Sequence, residues 1–457
     1  MNEAPVEIEE KLALAQLYLS EENIKGFRQE FLSLHVYEQG QYYLSLSEQD
    51  RQRMYYFLSP KEMADMFEVI EEDEQSVEVY LKEMDPQYAA DMLSEMYTDN
   101  AVDVLKQLDK PDLRNYLNLM TEDSANEIKE LLHYEDETAG AIMTTEYVSV
   151  EAHQTIRSAM AILKSKAAEA ETIYYIYVVD PAERLVGVIS LRELITHDDD
   201  ELVSEVMGDR PVSVNVTDDQ NDVAKTIRDY NFLAVPVIDN DEYLLGIITV
   251  DDIIDVIDEE AESDYSGLAG VDVGEQSENP FVAASKRLPW LITLLFLGMG
   301  TATLISRYEV LVSEASILAV FISLITGTAG NAGTQSLAVA VRKLADNDDK
   351  SKGFGSLILS EVLTGIVTGL TTGVTIFIVI GIWKQNFILG FVVGIAMFFA
   401  IIVANLAGSF IPILMDRIGF DPAVASGPFI STLSDLTSVL IYFNIAAYFM
   451  SFFVQAG

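Results

Sequence analysis

The chain of 457 residues contains no cysteine, and this absence excludes disulfide bonds, thiolate metal sites and cysteine catalysis. Histidine is nearly as scarce, and its four positions are scattered along the chain: His35, His133, His153 and His197. This scatter gives no zinc-binding pattern. The sequence also lacks a phosphate-binding loop and a paired nucleophile and base, so we do not expect an enzyme.

Positive charge is the second shortage. The whole chain has 28 basic and 73 acidic residues and a formal net charge of −45. Nine basic and nine acidic residues lie from Ser285 onward, which leaves 19 basic and 64 acidic residues before it. The part of the chain before Ser285 therefore carries the entire net charge. Such a field attracts cations and repels anionic lipid and nucleic acid, so no nucleic-acid partner is expected.

Residues 1–130 are predicted to form an acidic helical N domain. Apolar residues recur at helical spacing, and a weak repeat relates Pro60 and Ala64-Asp65-Met66 to Pro86 and Ala90-Asp91-Met92. Short helices stacked at a regular period predict an all-α superhelical array. The N-terminal stretch MNEAPVEIEEKL lacks the apolar core of a signal peptide, so we expect this domain in the cytosol.

Residues 131–257 contain a clearer duplication. The stretch TIYYIYVVDPAERLVGVISLREL from Thr172 aligns without gaps with NFLAVPVIDNDEYLLGIITVDDI from Asn231, so that Gly187 corresponds to Gly246. Each copy reads as a strand, a turn, a second strand and a helix start. The pattern resembles a tandem pair of α+β CBS domains, at about 138–198 and 203–257.

The CBS resemblance implies a cleft that often binds adenine nucleotides such as ATP. It carries that role to Ser190, Glu193 and Thr249, and Phe232 is a further candidate. Asp252 occupies the remaining signature position. Because two of the four signature positions are acidic, a triphosphate would need an accompanying divalent cation, and nucleotide binding stays open here.

Residues 258–284 are predicted to contain an amphipathic connecting helix, or plug helix, and a linker. Ile253, Ile254 and Ile257 share one helical face of the stretch that begins at Asp251. Seven of the thirteen positions from Asp252 to Asp264 are acidic: Asp252, Asp255, Asp258, Glu259, Glu260, Glu262 and Asp264. Their repulsion favours a divalent cation that bridges them to another acidic surface. The alternative is a solvated connecting helix.

Residues 285–457 are predicted to form a transmembrane domain. Five apolar segments are long enough to cross the hydrocarbon core: Leu288–Ile305, Ile317–Val341, Leu357–Trp383, Phe387–Leu414 and Ala423–Phe453. Seven basic residues flank the spans on one side and two on the other. This bias predicts a cytosolic N-terminus and a C-terminus outside the cell membrane.

Two features of these spans indicate a cation path. The second span contains GTAGNAGTQS from Gly327, which predicts an irregular backbone lining a cavity, with freed carbonyls near Asn331, Thr334 and Gln335. The fifth span contains Asp435, and an acid at that depth usually faces a bundle interior or a wet pathway. The alternatives are close packing through small residues, and an acid that snorkels to the interface.

The motifs GTAGNAGTQ and DPAVASGPFISTLSDLTSVLIY, with the order of domains, resemble the MgtE family of magnesium channels. The resemblance implies a homodimer with a pore at the two-fold axis, lined by the second and fifth spans. The pore aspartate maps onto Asp435 and the neighbouring asparagine onto Asn331. Gly330, Thr334, Gln335 and Ser431 complete the candidate ion-binding residues of the pore.

The resemblance also implies Mg²⁺ sensors in the cytosolic domains. Candidate sensor acids share positions on helix starts or on the connecting helix: Asp91, Asp99, Asp103, Asp219, Asp252, Glu260, Asp264 and Asp421. For the first three, helix capping is the alternative. Asn221, Asn231 and Ser263 stand where the family has acids, so we expect some sensor sites to be weaker or absent.

These observations predict a multidomain membrane protein that conducts Mg²⁺ inward and closes when cytosolic Mg²⁺ binds its acidic domains. The competing hypothesis is a proton-coupled secondary transporter of divalent cations with Asp435 as a proton relay. A relay usually needs further ionisable groups within the membrane, and Glu361 is the other candidate.

Overall fold

The protein is described by a computed structural model that covers residues 4–68, 70, 77–271, 279–314, 316–345, 354–418 and 426–449. The chain divides into two compact units, Met1–Asp258 and Glu259–Gly457. The predicted architecture is confirmed: helices come first, then two small sheets, then long apolar helices.

Short helices occupy the first part of unit 1. Their bounds are α1 Ala4–Ser20, α2 Ile24–Phe31, α3 Val36–Ser45, α4 Glu48–Phe57, α5 Pro60–Phe67, α6 Val77–Glu83, α7 Pro86–Leu93, α8 Thr98–Lys106, α9 Lys110–Leu119 and α10 Glu122–Leu131. Local sequence explains the starts, since Ser59 and Glu62 form a capping box at α5, and Asp85 caps α7. A proline follows each of these caps, where its missing N–H costs nothing.

The CBS pair supplies the sheets of unit 1. The strands are β1 Ser149–Glu151, β2 Tyr175–Val179, β3 Leu185–Ser190, β4 Gly208–Asp209, β5 Val214–Asn215, β6 Ala234–Ile238 and β7 Leu244–Thr249. The helices are α11 Ile156–Lys166, α12 Leu191–Thr196, α13 Val203–Val206 and α14 Gln220–Tyr230, with a 3₁₀ turn at Ala139–Ala141.

The duplication is reproduced in the strand pairing. Strands β2 and β3 pair antiparallel with Val178 opposite Gly187, and β6 and β7 pair antiparallel with Val237 opposite Gly246. Both pairs slip after that position, and both sheets receive a parallel strand on the other side. The two repeats therefore share one register, as the gapless alignment of their sequences predicts.

One helix belongs to both units. Helix α15, Val250–Ala269, begins directly after β7 and ends in unit 2. Leu268, in its last turn, packs with Leu337 and Ile430 of the apolar part of the chain. Gly270 follows with φ +68°, the left-handed conformation that ends a helix, and its N–H donates to the carbonyl of Ser266.

Unit 2 is built from long apolar helices. They are α16 Pro280–Arg307, α17 Glu309–Glu314, a 3₁₀ segment Ser316–Phe321, α18 Ile322–Ala345, α19 Phe354–Trp383, α20 Phe387–Arg417 and α21 Gly427–Tyr448. The described residues include five stretches long and apolar enough to cross a membrane: Pro280–Arg307, Ser316–Leu344, Gly355–Trp383, Phe387–Met415 and Gly427–Tyr448.

The prediction of an irregular backbone at Gly327–Ser336 is wrong, because α18 runs through it without a break. Two of its glycines, Gly330 and Gly333, instead allow close contact between α18 and α21. A Cβ on Gly330 would lie 2.8 Å from Ser431 Oγ, and one on Gly333 would lie 2.9 Å from Ser434 Oγ. Close packing through small residues, the alternative weighed above, is the correct explanation.

Candidate ion-binding sites

Three carboxylates from distant parts of the sequence meet in unit 1. Asp99 lies in the first turn of α8, Glu171 precedes β2, and Asp252 lies in the first turn of α15. Each offers one carboxylate oxygen, and the three oxygens lie within 4.8 Å of one another. We call this set the acidic triad. The sequence predicted two of its members and missed Glu171.

Hydrogen bonds hold the triad in place from the second CBS repeat. The backbone N–H of Thr249 donates to Asp252 Oδ2 over 3.2 Å, and the Thr249 hydroxyl lies 3.2 Å from Glu171 Oε1. The Asp99 side chain accepts only from the N–H of Asn100, over 2.9 Å, among the described contacts. The second oxygen of Glu171 is buried without a hydrogen-bond partner in the described structure. The carboxylate oxygens of the triad therefore accept fewer hydrogen bonds than they could.

The triad has no compensating positive charge in the part of the chain that the structure describes; its neighbours are other acids. Burial and then the charges of nearby carboxylates raise the pKa of Asp99 well above its ordinary value. The same two causes raise the pKa of Glu171 to about 8, and burial raises the pKa of Asp252 to about 6. Two unit charges this close repel by roughly 3 kcal/mol at an effective dielectric constant near 20.

A second layer of acids surrounds the triad. Glu146 accepts hydrogen bonds from the hydroxyl groups of Thr98 and Thr144, both over 2.6 Å. Glu68 accepts from the N–H of Tyr97 over 2.9 Å, and burial raises the pKa of Glu68 to about 7. Glu68 and Glu146 were also missed in the sequence, since neither lies in a motif. The charge of Glu146 acts directly on Asp99, and Glu68 interacts with Glu146.

The triad has the chemistry that Mg²⁺ selects. Carboxylate oxygens are its preferred protein ligands, and opposite ligands of one Mg²⁺ are about 4.2 Å apart, twice a metal–oxygen distance of about 2.1 Å. The 4.8 Å limit of the triad exceeds this span by a small margin. A slight contraction, or one retained water, would let all three acids share a single ion.

The remaining predicted sensor acids lie elsewhere. Asp91 is exposed on α7 and accepts from Gln87 over 2.8 Å, and Asp219 caps α14 by accepting from the N–H of Asn221 over 2.8 Å. Asp103 is exposed one turn after Asp99. The structure does not bring these three into the triad.

Two further sensor candidates, Glu260 and Asp264, lie in the part of α15 that belongs to unit 2. Asp421 lies outside the described residues. Within the described part of the chain, the N-cap of α21 is Ser426, whose hydroxyl accepts from the N–H of Phe429.

The nucleotide candidates occupy the two CBS signatures. The side chains of Ser190 and Glu193 form a capping box at α12, and Thr249 makes the equivalent bonds to Asp252. Phe232 stacks on Tyr230 with ring centroids 5.3 Å apart. The polar positions are thus already bonded within the chain, whereas the rings form a half-exposed aromatic surface.

The candidate pore residues lie on α18 and α21. Gly330 of α18 packs against Ser431 of α21. The helical turn that contains Asn331 therefore lies next to the turn that precedes Asp435. Asn331 and Gln335 are exposed on α18, and the Thr334 hydroxyl donates to the Asn331 carbonyl over 3.0 Å. The α18 carbonyls remain in a continuous helix, so side chains supply the available ligands.

Asp435 is half-buried in the middle of α21. No Lys or Arg of the described residues interacts with its carboxylate. Its neighbours Ser434 and Ser438 are buried, and their hydroxyl oxygens have no hydrogen-bond partner in the described structure. Asp435 therefore lies more than one turn inside the span, beside small polar groups and without a compensating cation.

An acidic unit with a buried cluster of carboxylates, joined by a helix to apolar spans, indicates a membrane transporter of cations. Family profiles agree with this class of protein: "Divalent cation transporter" matches residues 322–445, "MgtE intracellular N domain" matches 34–137, and "CBS domain" matches 139–200 and 203–259. The chain is 70% identical to a magnesium transporter MgtE of Enterococcus faecalis, over 99% of this chain and 100% of that one. The chain belongs to the MgtE family.

More distant relatives and solved structures agree. A magnesium transporter MgtE of Bacillus subtilis is 40% identical over 73% of this chain and 74% of its own length. The soluble part of a magnesium transporter, known from a crystal structure, is 63% identical with a TM-score of 0.55, covering 56% of this chain and 99% of its own. The cytosolic domain of the Mg²⁺ channel MgtE in complex with ATP is 33% identical with a TM-score of 0.50, covering 54% and 99%.

Proposed function

We propose that this protein conducts Mg²⁺ into the cell through a path lined by α18 and α21, with Asp435 as the principal ion-binding carboxylate. The observation that carries the proposal is an acid held within a span without a cationic partner among the described residues. Mg²⁺ sheds water reluctantly and is usually held through one or two carboxylates with retained waters. The relatives named as magnesium transporters support the choice of ion.

We favour a channel over a proton-coupled transporter. A proton relay needs a chain of ionisable groups within the membrane. Glu361, the other intramembrane candidate, is buried and accepts from the Ser336 hydroxyl at the α18–α19–α20 contact. Voltage-clamp recording separates the two mechanisms: a channel gives Mg²⁺ currents without proton movement, whereas a coupled transporter acidifies or alkalinises the trans side in step with flux.

The acidic triad is the proposed sensor. Mg²⁺ at Asp99, Glu171 and Asp252 would remove the repulsion that opposes their close approach and so favour the compact arrangement of unit 1. A ligand shifts a conformational equilibrium only by its preference for one state. Because Asp252 lies on α15, ion binding acts on the helix that continues into unit 2. High internal Mg²⁺ thus holds the gate shut.

The functional form is proposed to be a homodimer in the cell membrane, with unit 1 in the cytosol and the C-terminus outside. A second copy and membrane lipid together would cover the first span, since no residue described in α16 is buried. Two Asp435 carboxylates facing a two-fold axis would hold one hydrated ion. Cross-linking from single cysteines placed on α16 tests this, and a strictly monomeric protein in lipid would contradict it.

ATP is the proposed second ligand of unit 1. A structural relative contains ATP in its cytosolic domain, and in this chain the stacked Tyr230 and Phe232 offer a surface for an adenine ring. The nearby acids favour ATP that carries Mg²⁺. Equilibrium dialysis with and without Mg²⁺ tests the assignment, and Phe232→Ala should weaken binding by about tenfold through loss of stacking.

The decisive experiment for transport replaces the lone acid. Asp435→Ala in proteoliposomes should abolish Mg²⁺ uptake, because no other carboxylate of the span can replace it. Glu309→Ala is the matched control, since Glu309 is an exposed acid of the same domain. Near wild-type uptake by a correctly folded Asp435→Ala protein would refute the proposed ion site.

A further inference from the structure

A buried polar cluster lies where α18, α19 and α20 meet, apart from the residues assigned to the ion path. Its members are Ser336, Glu361, Asn405 and Ser409, with exposed fractions of 2%, 6%, 5% and 0%. The Ser336 hydroxyl lies 2.9 Å from Glu361 Oε2 and 2.8 Å from the Asn405 carbonyl. We call these four residues the polar junction.

The junction joins three helices through their side chains. The Asn405 amide fits between α18 and α19. With its oxygen and nitrogen assigned from the hydrogen-bonding groups around them, the NH₂ group donates to the Ala332 carbonyl over 3.1 Å and the oxygen accepts from the N–H of Gly365 over 3.3 Å. The Ser409 hydroxyl lies 3.1 Å from the Asn405 carbonyl on its own helix. Each helix therefore contributes at least one bond that depends on its rotation about its own axis.

The junction contacts the back of the proposed ion-binding helix. Ala332 and Ser336 are one turn apart on α18, and the exposed Asn331 and Gln335 precede each of them by one residue. One residue of an α-helix corresponds to a rotation of about 100°. A turn of α18 that breaks the bonds of Ser336 would therefore swing Asn331 and Gln335 by the same angle.

Backbone packing alone leaves this rotation only partly determined. A Cβ on Gly408 of α20 would lie 2.2 Å from the Gly333 carbonyl, so these two backbones meet through glycines. On the α21 side, a Cβ on Gly333 would lie 2.9 Å from Ser434 Oγ and 3.0 Å from Ile430 Cγ2, so Ile430 is a large side chain at this contact. Smooth surfaces of small residues slide more easily than interlocked large ones. The hydrogen bond that the Ser336 hydroxyl donates to the buried Glu361 carboxyl is directional and so favours one arrangement of the two helices. Fixing register is the best-attested use of a buried polar or charged group.

We propose that Glu361 is a positioning residue for the ion path, acting through Ser336 to fix the rotation of α18 and so the placement of Asn331 and Gln335. This inference rests on the proposed ion path. Glu361 does not touch the ion, and its role requires a hydrogen-bond acceptor rather than a charge. The carboxyl and an amide of the same shape should therefore serve nearly equally.

The test compares variants that separate charge from hydrogen bonding. Glu361→Gln keeps an acceptor oxygen, Glu361→Leu removes it, and Ser336→Ala removes the donor with little change in size. Thr364→Val is the matched control, because the Thr364 hydroxyl bonds only the Ser360 carbonyl of its own helix in the described structure. Uptake of Mg²⁺ and of Co²⁺ into proteoliposomes gives a maximal rate, a half-saturating concentration and a selectivity ratio for each variant.

We expect Glu361→Gln and Thr364→Val to stay within about twofold of wild type in all three quantities. Glu361→Leu and Ser336→Ala should each change the Mg²⁺/Co²⁺ ratio by about tenfold, the size expected for losing a buried hydrogen bond. The double variant should be no worse than either single variant, because both break one interaction. If Glu361→Leu does not fold, Ser336→Ala decides alone.

Two results would overturn the inference. Loss of transport in folded Glu361→Gln would show that the charge or the proton itself is needed, and an unchanged ratio in Ser336→Ala would show that the hydrogen bond positions nothing. Wild-type protein and Asp435→Ala are measured in the same series. Absence of wild-type Mg²⁺ uptake would instead refute the proposed function, so the two failures are distinguishable.

Discussion

Glu171 completes a cluster of three carboxylates with Asp99 and Asp252, although it belongs to no sequence motif. In the absence of metal its charge opposes the folded arrangement, since burial and the neighbouring acids raise its pKa to about 8. Replacing that charge should relieve the repulsion, which stabilises the apo protein. The same replacement removes a metal ligand, which reduces the stabilisation by Mg²⁺.

Glu171→Gln should therefore raise the thermal midpoint of the apo protein by roughly 2–4 °C, the shift that about 1 kcal/mol produces in a domain of this size. The stabilisation by Mg²⁺ should shrink, with about tenfold weaker Mg²⁺ binding. Differential scanning fluorimetry across a Mg²⁺ titration measures both. Glu205→Gln, an exposed acid of the same unit, is the control, and an apo midpoint equal to wild type would contradict the repulsion argument.

The response to Mg²⁺ should depend on pH. A carboxyl with a raised folded-state pKa stabilises the compact unit while it is protonated, and this stability is lost as pH rises through about 6 for Asp252 and about 8 for Glu171. Mg²⁺ competes with those protons, so its affinity should fall as pH drops from about 8 to about 6. Calorimetric Mg²⁺ titrations at several pH values test this, and a flat profile would exclude the triad as the sensor.

Sequence alone identified part of the triad. Asp252 belongs to the second CBS signature and Asp99 to a helix start, and the family resemblance assigns both to a sensor. Glu171 had no signal except its place one residue before the duplicated segment at Thr172. Its contact with Asp252 depends on how β2, β7 and α8 come together, which no local pattern encodes.

At the scale of elements, α18 shows how a glycine pattern can mislead. Gly327, Gly330 and Gly333 lower helix propensity, which predicted a break in the span. In an apolar medium every backbone group must be bonded internally, and a continuous helix satisfies that demand. Gly330 and Gly333 instead leave space for serine side chains of α21, which pack directly against the α18 backbone. The packing role of Gly373, where a Cβ would lie 2.7 Å from the Gly394 carbonyl, follows the same rule.

Substitution of Gly408 should be the most damaging of these changes. A Cβ there would lie 2.2 Å from the Gly333 carbonyl, and neither backbone can withdraw without separating α18 from α20. We expect Gly408→Ala to lower the melting temperature of the detergent-solubilised protein, as overpacking by about 1–3 kcal/mol would, and to reduce Mg²⁺ uptake because α18 is displaced. Size-exclusion profiles and uptake assays measure these effects.

Gly355→Ala provides the comparison. Gly355 lies in the first turns of α19, and a Cβ there meets nothing within 4 Å. Alanine favours a helix over glycine, so this variant should match or slightly exceed wild-type stability. Equal behaviour of the Gly355 and Gly408 variants would show that the close approach of α18 and α20 does not limit folding.

At the scale of the molecule, the net charge is confined to one part of the chain. The part of the chain before Ser285 holds the whole net charge of −45, and the remainder is balanced. Sequence predicted this division, the two CBS repeats and the five apolar stretches, because composition and periodicity report such features directly. It could not predict how the acids of one region approach those of another, since that depends on packing over long sequence separations.

Mg²⁺ should protect the acidic region from proteolysis. Neutralised carboxylates let unit 1 stay compact, so limited trypsin digestion of the full-length protein should slow several-fold in millimolar-range Mg²⁺. K⁺ at equal ionic strength is the control, because screening alone acts on exposed charges and much less on buried ones. Equal cleavage with and without Mg²⁺ would exclude sensing by this region.

Helix α15 carries Asp252 in its first turn and Leu268 in its last, where Leu268 packs against Leu337 and Ile430. Thermodynamic linkage works in both directions along such an element. If an ion at Asp252 stabilises the packing of Leu268 by some factor, the packing of Leu268 must raise the affinity for that ion by the same factor. Under the proposed sensor mechanism, a substitution that removes the packing of Leu268 should therefore weaken the response to internal magnesium while every acidic residue stays unchanged.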